Sequence, residues 1–569
     1  MKETLKRLRQ SRCLPYLAAA LSFFAAWTGE TGSLVWGGLC ILLSLPLLAV
    51  PEYLLAPLLT AILLDNNCNI LPGLTASRYF TLLFLAVEGL TVLLREKPGQ
   101  WVRRFAYPAL LILYVFFSAA CIGHCVTPDT FSLGMSVALA VLMAALPSQR
   151  RARLWRLLPW SCVAVVSYML FCLNFREVEA PGGRYWFMGA TNVNVIGMSL
   201  AQTAILFFAA MSVRLVDRKG EWRTVVCFVG YVCSLYLLIL TGSRSSLFGL
   251  VGGCAVLGVL SLLRGKKGRE RRRQTAGLAV LCCLSAILCL TAPQIQQRVE
   301  LWRYDMAHPA PQMEEAPPEA APAQPEIPEA PLEVAPIQPE IPETPPKAAP
   351  VQPEIPETPP EAAPAQLEVP EAPLDAAPIQ PETPEVPPEV APAQPEQPSR
   401  EETIQQLQEN TASFWNHMNP FSPYWGGTSE RTGIWRILIE HSIKAHPLVG
   451  TGYGTAIAVL QANGDDHSGA HNILLAILSD LGLIGLLLFG IPLVRLISHL
   501  QWRTNPAALL PLGMIVTALV TGVGENIYTE RFLWYAAGLA LWLMNSPASS
   551  EFERLSDDES SVCDTVSVQ

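Results

Sequence analysis

Long apolar runs constrain this chain more than anything else in it. They fall at 13–29, 33–50, 51–64, 74–94, 105–123, 131–147, 157–175, 191–213, 222–241, 245–263, 274–292, 472–497, 506–524 and 531–545. A helix needs about 20 residues to cross the hydrocarbon core, and most of these runs approach that length. Inside hydrocarbon a backbone must satisfy its own hydrogen bonds, and a helix does so within one segment. The expected class is an all-α polytopic integral membrane protein. It has about 12–14 transmembrane helices and one large extracytoplasmic loop carrying short helices and a Pro-rich insertion.

Charge placement predicts the orientation. Lys2, Lys6, Arg7, Arg9 and Arg12 precede the first run, and a Lys/Arg excess marks the cytoplasmic side. If 51–64 spans, every second loop after that is basic, from Arg95/Lys97/Arg103/Arg104 through Arg150–Arg156 and Arg264–Arg273 to Arg495/Arg503. Both termini are then cytoplasmic, and loops 176–190, 242–244, 293–471 and 525–530 lie outside the cell membrane. Arg176, Arg184, Arg244, Arg431 and Arg531 sit on or at the ends of those loops. They run against the local charge trend and call for another cause. The basic loops are a topology signal, so no nucleic-acid partner is expected.

The chain divides into transmembrane helices over 1–292, the start of an outer loop at 293–307, and a Pro/Glu-rich block at 308–400. An extracytoplasmic loop domain is expected at 401–471, then C-terminal helices at 472–545 and an acidic tail at 546–569. In the Pro-rich block the glutamines at 324, 338, 352, 366, 380 and 394 recur every 14 residues. Proline at that density excludes helix and sheet, and its glutamates repel one another, so a disordered spacer is expected. Of the 14 cysteines most lie inside apolar runs as small hydrophobes. Cys68, Cys121 and Cys125 fall outside the membrane, where a disulfide is permitted.

Three features carry candidate chemistry. Thr241–Ser246 (TGSRSS) is a short loop between two spans holding Arg244, whose guanidinium suits bidentate phosphate binding or simple snorkelling. Arg431 opens an amphipathic helix whose apolar positions are Ile434, Trp435, Leu438, Ile439 and Ile443. A cation at a helix N-terminus opposes the dipole, so either an anionic ligand or a salt bridge to Glu430 or Glu440 should favour it. His471 and Asn472 stand at the mouth of the run 472–497. A neutral imidazole there suits a general base, and an interfacial helix cap is the plainer reading; Asn472 is placed to orient it or to bind substrate.

Other signals are weaker. The Gly-rich turn His446–Gly454 either presents backbone N–H groups to an anion or is a tight turn between helices. Asp465, Asp466, His467 and His471 offer a divalent-ion alternative, though without a recognised ligand spacing. The acids noted within spans are Glu88 and Asp480. Asp480 is expected to pair inside the bundle, and Gly482 and Gly485 to let a neighbouring helix pack closely.

His471-Asn472, nine residues, then Gly482 and Gly485 resemble the H-[N/S/Q]-x9-G-x-x-[G/T/Y] signature of the O-antigen ligase/O-antigen polymerase superfamily. TGSRSS around Arg244, the segment from Arg431 through HPLVGTGYG, and Gly189–Asn194 with Arg184 upstream are similar to further stretches of that family. The repeat block and the span count depart from it. The resemblance implies glycosyl transfer on the outer membrane face from an undecaprenyl-diphosphate-linked glycan, with no metal or cofactor. His471 would take the acceptor proton, Arg244 and Arg431 would hold the diphosphate, and Asn472, Arg184 and Asn194 would support them. The acceptor, whether glycan, lipid or wall polymer, stays open. A transporter or flippase of the same lipid-linked glycan, and a scaffold displaying the Pro-rich block, are the alternatives.

Overall fold

The computed structural model describes residues 11, 13–27, 34–64, 69–71, 73–147, 151–175, 179–180, 184–185, 193–214, 221–264, 277, 281, 285, 287, 430–465 and 469–544. All belong to one unit formed by Met1–Ala310 and Asn419–Gln569. The Pro-rich block, the acidic tail and almost all of 274–292 lie outside the described residues.

Helices dominate. The first group is α1 (Cys13–Trp27), α2 (Leu34–Ser44), α3 (Leu55–Leu63), α4 (Ala76–Arg95), α5 (Pro98–Phe117), α6 (Pro128–Ala145) and α7 (Arg151–Phe175). Then come α8 (Val193–Arg214), α9 (Glu221–Thr241) and α10 (Arg244–Arg264). The last group is α11 (Glu430–Leu438), α12 (Ala456–Ala462), α13 (Ile473–His499), α14 (Leu509–Thr521) and α15 (Arg531–Met544). Among the described residues seven helical segments are long and apolar enough to cross a membrane, and six shorter apolar ones accompany them. That inventory is consistent with a polytopic membrane protein. Two small antiparallel hairpins, Asn69–Leu71 with Leu74–Thr75 and Glu179–Ala180 with Arg184–Tyr185, qualify the all-helical expectation.

The core centres on α8, 94% of whose membrane-length window is buried. It packs on α9, α10 and α14. Contact between α10 and α14 uses small residues: Gly249 lies against Thr521, and Gly253 against Thr517. Without a hydrophobic drive between helices in lipid, such close approach supplies the dispersion that holds them. Gly538 of α15 meets Ala140 and Met143 of α6 in the same way. Buried acids number more than the two read from the spans. Glu52, in the 3-10 turn Pro51–Leu54 ahead of α3, is fully buried, and Glu88 and Asp480 are buried as well. Cys121 and Cys125 are free thiols, so the structure does not pair them; Cys68 lies outside the described residues.

The C-terminal region departs most from an ideal bundle. Gly482 has φ +65° and ψ −165°, which breaks α13 into Ile473–Leu481 and a second half running to His499. Two halves leave carbonyls at the end of the first and N–H groups at the start of the second without helical partners. The segment Pro447–Gly452 fills that gap. Leu483 and Ile484 donate to the Pro447 and Leu448 carbonyls at 2.9 and 3.0 Å, while Thr451 and Gly452 donate to the Ser479 and Asp480 carbonyls at 2.8 and 3.1 Å. Gly482 therefore does not seat a neighbouring helix, as its spacing suggested. It admits a loop backbone, because a Cβ there would collide with Leu448.

Candidate functional site

The N–H groups of the Gly-rich turn have defined acceptors. Gly450 donates to His446 O, Thr451 and Gly452 to α13, Tyr453 to Ser118 Oγ, and Ala456 to Asp480 Oδ1. The tight-turn reading of His446–Gly454 stands and the anion-cradle reading falls, because these donors are already spent on the turn itself, on the broken helix and on Ser118.

Two wide π-helical turns help to close the same gap. Ser118, opening Ser118–Ile122 after α5, donates to Asp480 O at 3.3 Å. Ser442, in Ile439–Ile443 after α11, donates to Ser479 O at 2.9 Å. An inserted π turn shifts the helical phase. Ile434 and Leu438 are buried as the amphipathic pattern predicts, but Ser442 turns inward and Ile439 outward at 37% exposure.

One end of α13 organises the candidate site. Asn472 is the N-cap, its Oδ1 accepting from Leu474 and Leu475 N–H at 2.9 and 3.1 Å. That is the helix-cap geometry, and it stabilises by about 1 kcal/mol. The same side chain donates to Val523 O at 3.1 Å, the Asn472 N–H to Asn526 Oδ1 at 3.3 Å, and the Ile473 N–H to Gly522 O at 2.7 Å. The first turn of α13 thus grips the loop between α14 and α15. Before it, His471 takes φ +46°. A left-handed non-glycine backbone costs roughly 1–2 kcal/mol, and such positions cluster where a side chain must be aimed.

The side chain is aimed at Glu525. His471 Nδ1 stands 3.4 Å from Glu525 Oε2. Arg431 Nη2 lies 3.4 Å from Glu525 Oε1, and its Nη1 donates to Gly524 O at 3.0 Å. Ser245 Oγ reaches Glu525 Oε1 at 3.4 Å. Glu525 is 5% exposed, His471 18% and Arg431 37%. A buried carboxylate therefore joins three segments far apart in sequence. Arg431 pairs with this acid and, among the described residues, not with Glu440, which takes Arg436 at 3.5 Å; the side chain of Glu430 lies outside the described residues. Gly524 permits the approach, since a Cβ there would press on Ser245 and on the Arg431 guanidinium.

Arg244 begins α10, next to Ser245, and is exposed. Among the described residues it forms no ion pair. Asn194 is in the first turn of α8, half-buried, one turn before Gly197, which packs on Ser243 and Ser246. Arg184 lies on the second hairpin, and its side chain falls outside the described residues. Arg531 is buried and bonds Ser77 and Ser132 hydroxyls, the latter at 2.9 Å, which accounts for one awkward arginine without a ligand. No group of three or more metal-ligating side chains occurs among the described residues; Asp466 and His467 lie outside them.

Glu525 is the residue that sequence reasoning missed. The signal was present: an acid between glycine and asparagine, on a loop that the charge alternation puts on the same side as His471.

Comparison with known proteins gives one distant relative. The chain is 33% identical over 135 residues to an O-antigen ligase of Pseudomonas aeruginosa, across 22% of this chain and 33% of that protein. It thus spans about a third of the length of the curated relative it matches. No family model matches the chain.

Proposed function

We propose that this chain is a membrane glycosyltransferase of the O-antigen ligase kind. It transfers or polymerises glycan from an undecaprenyl-diphosphate-linked donor onto an acceptor hydroxyl at the outer face of the cytoplasmic membrane. The observation that carries the reading is the convergence of His471, Arg431 and the Ser245 end of α10 on Glu525. The partial likeness to an O-antigen ligase supports the same class.

Glu525 accepts from His471 Nδ1–H, which fixes the tautomer and leaves the Nε2 lone pair free. Nε2 removes the acceptor proton as that oxygen attacks the anomeric carbon. The anomeric C–O bond to the diphosphate breaks, and polyprenyl diphosphate leaves with the electron pair. Displacement in one step inverts the anomeric centre. Arg431 and the exposed Arg244 neutralise the departing diphosphate in a partly desolvated setting, where fixed cations act most strongly. Proton, nucleophile and leaving group are all accounted for without a metal, so a chelator should leave the rate unchanged.

A transporter of the same lipid-linked glycan is the second reading, favoured by the broken helix α13, since discontinuous helices are a transporter device. Here the groups freed by the break bond to the protein itself. Detergent micelles separate the two readings, because translocation has no meaning there while transfer proceeds. Purified protein is incubated with lipid-diphosphate glycan extracted from producing cells and with their surface polymer. Formation of linked product supports transfer; an intact donor beside active protein in vesicle translocation assays supports the alternative.

A further inference from the structure

The loop that bears Glu525 is held at two points, and both belong to the short first half of α13. Its near point is the grip of Asn472 and Ile473 on Gly522, Val523 and Asn526. Its far point is Asp480, at the other end of the half-helix. The Tyr528 hydroxyl donates to Asp480 Oδ2 at 2.6 Å, and both residues are buried. Asp480 Oδ1 accepts from the Ala456 N–H at 3.2 Å, and Gly454 N–H also bonds this carboxylate.

The Tyr528 ring is confined as well. Tyr453 and Phe489 meet it edge-on at centroid distances of 6.2 and 5.8 Å, and Trp534 Nε1 donates to its carbonyl at 2.9 Å. Burial, then the neighbouring Asp480 charge, holds the Tyr528 phenol well above its ordinary pKa, so it remains a donor. Seven residues separate Asn472 from Asp480 along a nearly rigid helical rod of about 1.5 Å per residue. His471 leads directly into that rod. Glu525 lies inside the near grip, between Val523 and Asn526, and three residues before Tyr528 at the far point. The break at Gly482 is what ends the rod there and lets Gly454 and Ala456 reach Asp480.

We propose that Asp480 and Tyr528 are positioning residues for the transfer reaction: their buried hydrogen bond fixes Glu525 relative to His471. The inference rests on the transferase reading above. Neither residue touches the reacting atoms; both act through Glu525. The buried acid in the span, unexplained by packing alone, thereby acquires a task.

Tyr528→Phe removes one hydroxyl and keeps the ring contacts. In a single-turnover assay with the extracted lipid-diphosphate glycan, it should lower the transfer rate about tenfold while donor KM stays within about twofold. A double-mutant cycle with Glu525→Gln is decisive, because a role exercised through Glu525 disappears once that carboxylate is gone. In the Glu525→Gln background, adding Tyr528→Phe should change the residual rate by less than about twofold. Asp480→Asn, run through the same cycle, gives a second reading should the phenylalanine variant fold poorly. An unchanged rate in Tyr528→Phe, or the same fold loss in both backgrounds, overturns the proposal and leaves the pair a purely structural contact. Failure of the wild-type protein to transfer at all would instead defeat the transferase reading on which it stands.

Discussion

Glu525 takes its meaning from its three partners. A carboxylate 5% exposed carries a large desolvation cost, which Arg431, His471 and Ser245 offset together. Replacing it with glutamine keeps the shape and removes the charge. Glu525→Gln should therefore reduce kcat about 10²-fold or more with little change in donor KM, measured by release of polyprenyl diphosphate. Arg244 presents the opposite case, being exposed at the start of α10. Arg244→Ala should raise donor KM about tenfold while thermal unfolding of the detergent-solubilised protein is unchanged; an unaltered KM would remove it from the diphosphate site. At this scale the sequence singles out His471, Arg431 and Arg244 because each is a polar residue in an unusual place. It also shows Glu525 between glycine and asparagine, but nothing in the order of residues says that positions 245, 431, 471 and 525 meet.

Helix α13 shows how an element can mislead when read as a periodic pattern. Its 27 residues look like one apolar span, and Gly482 looks like a small residue for helix packing. The structure uses that glycine for a positive φ and for a loop that runs hard against it. Local composition cannot reveal this, because the partner segment Pro447–Gly452 lies some 30 residues earlier in the chain. Gly482→Ala should lower the unfolding temperature markedly, since the added Cβ meets both a left-handed backbone and Leu448. Gly490, in the same helix with open space around its Cα, is the control: Gly490→Ala should leave the unfolding temperature unchanged or slightly raised. Equal effects at the two positions would mean that the break is not structurally required. The π turns at Ser118 and Ser442 belong to the same repair, each bringing a hydroxyl to a carbonyl that the break exposed.

Across the whole molecule, the spans were the most legible part, because hydrocarbon imposes length and apolarity on every crossing segment. Each expected run that the described residues cover contains a helix, and among those residues seven helical segments are long and apolar enough to cross a membrane. For the proposed site the sequence offers candidate residues and not their geometry, because no local pattern encodes long-range contacts. The Pro-rich block 308–400 lies outside the described residues and bears none of the proposed site residues, so its removal should leave transfer by the purified protein within about twofold of the full chain. Loss of transfer on that deletion, with Arg244→Ala silent, would favour the scaffold reading. The central claim is that His471 performs proton transfer in a glycosyl transfer reaction. The direct measurement is single-turnover transfer by purified wild type and His471→Ala in detergent, each given extracted lipid-diphosphate glycan and acceptor polymer. Wild type should yield linked glycan and free polyprenyl diphosphate in equal amounts, and His471→Ala should still bind donor yet form neither above background. Equal product from both proteins would contradict the account.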